Sequence, residues 1–183
     1  MKYKFLVLSA MMIIALSGCA SDINLPQPQK NGGMSLMEAL SKRKSTREFN
    51  SEKRLTDQQL ADLLWAACGL NREDKLTIPT ALNKQEVSIY VIVPEGAYIY
   101  DAKSNALNVV NAKDIREFAG KQEFAQKALL NIAIVSDKEK MPNDLYAGTS
   151  AGAVMQNIYL WCAANEVGTV TRGSFDEDAL AEA

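Results

Sequence analysis

Val87-Ser88-Ile89-Tyr90-Val91-Ile92-Val93-Pro94-Glu95-Gly96-Ala97-Tyr98-Ile99-Tyr100-Asp101 carries the strongest strand signal in the chain. Val87 to Val93 is β-branched and aromatic and stops at Pro94, which has no N–H for a ladder, so it reads as a strand. Ala97 to Tyr100 and Ala106 to Val110 flank Lys103-Ser104-Asn105 and read as a hairpin. Leu129 to Val135 is a further apolar run and reads as a buried strand.

Helices bracket these strands. Ser35 with Glu38 is a capping-box pattern and predicts a short helix over Leu36 to Lys42, with Leu36, Met37 and Leu40 inward. Thr56 with Gln59 opens a second, carrying Leu60, Leu63, Leu64 and Ala67 on one face and stopping at Gly69. The charged stretch Lys113 to Lys127 reads as a partly solvated helix. From Leu145 to Val167 apolar residues recur at helical spacing, and Gly168 ends the longest helix. Within it, Ala147-Gly148-Thr149-Ser150-Ala151-Gly152-Ala153 has almost no bulk, and two glycines cost about 1 kcal/mol each relative to Ala. That cost predicts a close neighbour: another helix, the same helix of a second subunit, a flat cofactor, or plain tight core packing. Ser174 with Glu177 is a third capping pattern.

The 183 residues, 48% apolar and 23% charged, suit one globular domain. Lys2 and Lys4 precede an apolar run from Phe5 to Leu16 that is too short to span a bilayer but suits a signal peptide over residues 1–18. Leu16-Ser17-Gly18-Cys19 resembles a bacterial lipobox, which implies lipidation at Cys19 and anchoring to the cell envelope. Ala20-Ser21 carries no inner-membrane retention Asp, as in lipoproteins sorted to the outer membrane and facing the periplasm. Residues 19–34, with Pro26, Pro28, Gly32 and Gly33, then read as the lipidated Cys and a tether, and 35–183 as the folded domain.

Loss of Lys2 and Lys4 from 20 basic residues leaves the 22 acidic ones in excess, which argues against nucleic acid as a partner. The chain has no histidine. That removes Ser-His-Asp and Cys-His units, His-containing zinc sites and imidazole bases; no metal site is expected. Cys68 and Cys162 sit in apolar contexts suited to small buried hydrophobes, and an oxidising compartment leaves a disulfide between them open.

Two clusters could carry chemistry. Lys42-Arg43-Lys44-Ser45-Thr46-Arg47 follows the first helix, where cations neutralise the negative end of the dipole; the sharper reading is a phosphate clamp of forked guanidinium donors with a hydroxyl between them. Pro79-Thr80-Ala81-Leu82-Asn83-Lys84-Gln85 precedes the first long strand, and by itself is a loop whose amides form turns or meet a ligand.

In order along the chain, Arg43-Lys44-Ser45-Thr46-Arg47, Ile78-Pro79-Thr80-Ala81-Leu82-Asn83, Gly96-Ala97-Tyr98-Ile99-Tyr100-Asp101, Gly152-Ala153-Val154-Met155-Gln156-Asn157, Gly168-Thr169-Val170 and Gly173-Ser174-Phe175-Asp176 resemble the FMN-dependent nitroreductases. The resemblance runs from Ser35 to Ala183 and is nearest to the branch of the thiazoline dehydrogenases of peptide-modifying clusters. It implies an α+β fold with a central, mainly antiparallel sheet flanked by helices, a homodimer, and FMN between subunits. It implies FMN phosphate and ribityl contacts from Arg43, Ser45 and Arg47, with Lys44 at a less constant position. Pro79, Thr80, Ala81 and Asn83 match a loop that reaches the other subunit's flavin. Gly173 and Ser174 match a turn against the ring, and Gln122 matches a flavin-contacting amide. The low-bulk stretch 147–153 would pack at the dimer interface. Relatives continue for some tens of residues beyond the third capping pattern, so the domain is expected to be short at its C-terminus. They also carry small or aromatic residues where this chain has Lys84-Gln85-Glu86.

The expected function is an FMN oxidoreductase that takes electrons from NAD(P)H or another reductant and passes them to a small planar acceptor, a nitroaromatic or quinone. No side chain need be catalytic, because the flavin carries the hydride chemistry. The alternatives are a flavin-dependent dehydrogenase of a thiazoline, oxazoline or other envelope substrate, and a flavin-free lipoprotein or inactive fragment.

Overall fold

A computed structural model describes residues 20–183. The signal-peptide and lipidation readings, residues 1–18 and Cys19, lie outside the described residues. The strands Ile23–Asn24 (β1), Val87–Val93 (β4), Gly96–Asp101 (β5), Ala106–Asn111 (β6) and Asn131–Ser136 (β7) form one sheet in the order β1-β6-β5-β4-β7, antiparallel throughout. Leu70–Arg72 (β2) and Lys75–Leu76 (β3) make a separate hairpin. The α+β fold expected above, a mainly antiparallel sheet flanked by helices, is the one observed.

The register follows from the alternation along β4. Val87, Ile89 and Val91 face one side, where Tyr98, Tyr100 and Leu107 join Ala61, Leu64, Ala67 and Cys68 of helix α2 (Asp57–Cys68) and Val154 of α4 (Asp144–Ala164) in the main core. On the other side Ile92 and Ala97 lie under Ile115, Ala119 and, from α5 (Glu177–Glu182), Leu180. The tight β4–β5 turn needs Gly96: its φ is +153°, and a Cβ there would stand 2.4 Å from the Asn111 carbonyl oxygen.

The Thr56–Gln59 capping box forms as read, with both reciprocal bonds present. Other expectations are corrected. Residues 20–34 are not simply a tether: Ile23–Asn24 pairs with β6, Leu25 is buried, and Asn105 Nδ2 donates to the Pro26 carbonyl at 2.7 Å. Gln29 N–H donates to Asp62 at 2.7 Å, and Lys30 lies over the Trp65 ring. Asn105 is left-handed at φ +53° and buried, with its amide turned toward this segment.

Helix α1 (Leu36–Lys42) forms where read, but its apolar stripe faces outward; only Ala39 is buried, and Met37 is 74% exposed. Lys113 to Lys127 is helical only at Glu123–Lys127 (α3), because Asp114 accepts the Arg116 backbone N–H at 3.1 Å and a local turn replaces the helix. The strand read over Leu129 to Val135 is β7, half-buried since it is a sheet edge. Helix α4 ends before Gly168: Glu166 turns left-handed at φ +56° and the Val167 N–H returns to the Cys162 carbonyl at 2.9 Å. Asp176, not Ser174, caps α5, its carboxylate accepting the Ala179 N–H at 3.1 Å. Cys68 and Cys162 are both free and buried.

Candidate functional site

Gly168 leads the chain into the site. A Cβ there would press on Thr46 Cγ2 at 3.1 Å, so its absence lets the Thr169–Ser174 segment lie against Thr46, whose N–H donates to the Thr169 carbonyl at 2.8 Å. Tyr159 of α4 ties the same two segments by side chain. Its hydroxyl is 2.9 Å from Ser45 Oγ and accepts the Thr171 N–H at 2.9 Å, and the Arg43 guanidinium stands 5.1 Å from its ring centroid. Burial opposes ionisation of that phenol, but the bonds from Ser45 and Thr171 and the Arg43 charge together hold its pKa below the ordinary tyrosine value.

Two aromatic rings extend the site toward α3. Phe49 and Phe124, 6.3 Å apart, wall a cleft of about 390 Å³ lined also by Arg47, Glu48, Glu123 and Lys127. Glu123 is paired with Lys127 at 2.6 Å, whereas Arg43, Lys44 and Arg47 have no ion-pair partner among the described residues. All three are exposed. Gln122 stands at the N-cap position of α3 beside this cleft without a capping side-chain bond, and its Oε1 is buried with no hydrogen-bond partner among the described residues. The Lys121 N–H donates to the Ser174 carbonyl at 3.1 Å, which brings the turn at Gly173-Ser174 alongside Gln122. A Cβ on Gly173 would meet nothing within 4 Å, so that turn faces open space.

Arg43, Lys44, Ser45, Arg47, Gln122, Gly173 and Ser174, distant in sequence, therefore share one region. Pro79, Thr80, Ala81 and Asn83 do not join it. No hydrogen bond or ion pair links that loop to the first group among the described residues. Of its residues Asn83 alone lines a second cleft of about 560 Å³, with Asp74, Lys84, Gln85, Lys103 and Lys140. Leu82, Asn83 and Gln85 have φ of +54°, +55° and +49°, each costing on the order of 1–3 kcal/mol, and Leu82 is 90% exposed. Glu86, which follows, is not on that cleft: it is 1% exposed, and neither carboxylate oxygen has a hydrogen-bond partner among the described residues.

Three supporting residues escaped the sequence reading. Tyr159 was hidden in an apolar helical run, its polar tip the one available signal. Arg172 spans Ala119 and Asn131, donating to the Ala119 carbonyl and to Asn131 Oδ1, both at 2.6 Å; burial draws its guanidinium below the usual value. Gly120 makes room for it, since a Cβ there would stand 1.9 Å from Arg172 Nη1. The two cysteine thiols lie outside this chemistry. Burial, with the Glu86 charge adding, pushes Cys68 up to about 11, and burial pushes Cys162 up to about 12, which keeps both protonated at neutral pH. No cluster of potential metal ligands occurs among the described residues.

Unpaired guanidinium groups with a fixed hydroxyl, beside an aromatic cleft, an unpartnered acceptor and a bare glycine turn, make a site for a flat ligand with an anionic end. The fold is that of an α+β domain whose antiparallel sheet is flanked by helices. The chain belongs to the nitroreductase family, whose profile matches residues 40–183. It is 28% identical over 182 residues to a Methanocaldococcus jannaschii protein assigned to the nitroreductases, covering 90% of each chain. A crystal structure assigned likewise, from Ralstonia eutropha JMP134, superposes with a TM-score of 0.83 at 37% identity, over 92% of this chain and 83% of that one. A third, from Desulfovibrio desulfuricans in complex with FMN, has a TM-score of 0.53 at 21% identity, over 75% of this chain and 67% of that one; at that distance the likeness is one of fold.

Proposed function

We propose that this protein is an FMN-dependent oxidoreductase that works as a homodimer, reducing nitroaromatic or quinone-like acceptors with electrons from NAD(P)H. The carrying observation is that hydrogen bonds and the Phe49–Phe124 contact tie the 43–49, 121–124 and 169–174 segments together beside a cleft that Arg47, Phe49 and Phe124 line. Its donor set suits FMN: Arg43, Arg47 and Ser45 offer charge-assisted and hydroxyl bonds to a phosphate. The space over Gly173 leaves room for a planar ring, and the turn that carries it lies alongside Gln122. When bound, the flavin itself accepts and donates hydride. The chain's own residues then have binding work only. Tyr159 holds Ser45 and the Thr171 backbone in register, Arg172 holds the loop beneath Ser174, and the Phe49–Phe124 wall keeps water from one side of the cleft.

A second copy completes this reading. Leu36, Met37, Leu40, Leu145 and Tyr146 are exposed, and Gly148 and Gly152 have nothing within 4 Å. An apolar face on α1 and α4 with room for backbone approach suits a second copy of the chain, whose 79–83 loop would supply what the site lacks in one protomer. The thiazoline-dehydrogenase branch is proposed on the motif resemblance, and envelope anchoring on Leu16-Ser17-Gly18-Cys19. Because residues 22–30 dock on the body, a lipid on Cys19 would seat the domain against the bilayer instead of holding it at a distance.

The test is a spectrum. A chain starting at Ser21 is expected to purify yellow and dimeric, to release FMN on denaturation, and to bleach on anaerobic mixing with reduced nicotinamide. A yellow protein that does not bleach favours a dehydrogenase of an envelope substrate. A colourless protein that takes up no added FMN overturns the proposal.

A further inference from the structure

We propose that Asp74 and Gln85 are positioning residues that fix the side-chain amide of Asn83 for a ligand held against the 79–83 loop, an inference that rests on the flavin reading above. A primary amide has two N–H donors and two carbonyl lone pairs. Asn83 Nδ2 donates to Asp74 Oδ2 at 3.3 Å, and Gln85 Nε2 donates to Asn83 Oδ1 at 3.1 Å. An ionised carboxylate cannot donate and an amide nitrogen cannot accept, so these partners dictate which way the Asn83 amide faces. One N–H and one lone pair of Asn83 have no partner among the described residues and can meet a ligand.

The clamp is itself anchored. Gln85 Nε2 also donates to the Asp74 backbone carbonyl, and the Gln85 N–H donates to Thr80 Oγ1 at 3.1 Å, closing the base of the loop. Asp74 sits in the turn of the β2–β3 hairpin, so a separate hairpin holds a loop that carries three left-handed non-glycine residues within four positions. Such backbone persists only where its surroundings over-determine it. The hydrogen bond from Lys75, with Asn83 contributing, holds the Asp74 carboxyl below the usual carboxylate range, so it remains an acceptor at neutral pH. A ligand contact from a pre-oriented amide has less ordering cost than one from a free side chain.

The full-length protein and its Asp74→Ala, Asp74→Asn and Gln85→Ala variants test this by two readouts. These are backbone hydrogen exchange over residues 82–85 without added FMN, and the FMN dissociation constant from quenching of flavin fluorescence. Asp74→Ala and Gln85→Ala are expected to speed that exchange and weaken FMN by roughly 5- to 10-fold at an unchanged Tm. Asp74→Asn, which keeps an acceptor oxygen, is expected to restore both. Unaltered exchange in Gln85→Ala, or faster exchange with wild-type FMN affinity, overturns the positioning role while leaving the flavin reading standing. A wild-type chain that takes up no FMN overturns both.

Discussion

Ser45 Oγ and the Tyr159 hydroxyl stand 2.9 Å apart although 114 residues separate them, and through that contact the long helix α4 holds the segment that carries Arg43 and Arg47. Tyr159→Phe removes the hydroxyl from Ser45 and from the Thr171 N–H. It is expected to cost about 1–2 kcal/mol of stability and to weaken FMN binding, as measured by urea unfolding and flavin titration. The pH dependence has a definite sign. The folded phenol ionises below the ordinary value of 10.0, so between its folded and unfolded values the folded state holds fewer protons and stability grows with pH. The Tm of the wild type relative to Tyr159→Phe should therefore rise as pH climbs toward 10 and lose that advantage as pH falls.

Arg47 lines the aromatic cleft with no ion-pair partner among the described residues. Arg47→Ala is expected to leave thermal unfolding unchanged and to weaken FMN by about 1.5–3 kcal/mol, some 10- to 150-fold. Unchanged affinity by fluorescence titration would return residues 43–47 to a solvated patch.

Two glycines near the same turn should behave oppositely. At Gly120 a Cβ would collide with Arg172 Nη1 at 1.9 Å and with Ala125 Cβ at 2.5 Å, so Gly120→Ala is expected to destabilise by about 1–3 kcal/mol. At Gly173 it would meet nothing within 4 Å, so Gly173→Ala should keep its stability within about 0.5 kcal/mol yet hinder a flat ligand. Chemical denaturation and FMN titration of both variants separate a packing role from a binding one.

Met37 is 74% exposed and Leu64 is fully buried. Leu64→Ala is expected to cost about 2–5 kcal/mol. Met37→Glu should leave the unfolding of the single chain almost untouched and shift a dimer toward monomer in analytical ultracentrifugation. A monomeric wild type would remove the second copy from the proposal.

Cys68 and Cys162 are buried thiols raised to about 11 and about 12. At neutral pH neither should react with a thiol reagent in the native protein, and both should react at once in urea. Rapid labelling of the folded chain would mean that α2 or α4 opens.

What could be read directly were features set by neighbours a few residues away. Strand β4 falls at Val87–Val93 because its own β-branched residues and Pro94 bound it, and α2 starts at Thr56 because its cap lies within one turn. The basic 43–47 and Gly173-Ser174 motifs were visible for the same reason. The stripe of Leu36, Met37 and Leu40 was equally visible, but period alone says which residues share a face and not what that face meets. The 113–127 segment misled because helical composition yielded to one Asx turn at Asp114.

Residue type and short-range spacing were enough for strands β4 to β7, helices α1, α2 and α4, the β5–β6 hairpin and the absence of histidine, since each depends on composition or on neighbours a few positions away. Three-dimensional folding adds that residues 22–30 pair with the body, that Tyr159 joins Ser45 to Thr171, and that no hydrogen bond or ion pair ties the 79–83 loop to the arginine segment among the described residues. Those outcomes rest on contacts between segments tens to more than a hundred residues apart. Hydrogen bonding and close packing select such contacts only once the sheet has brought the distant segments together.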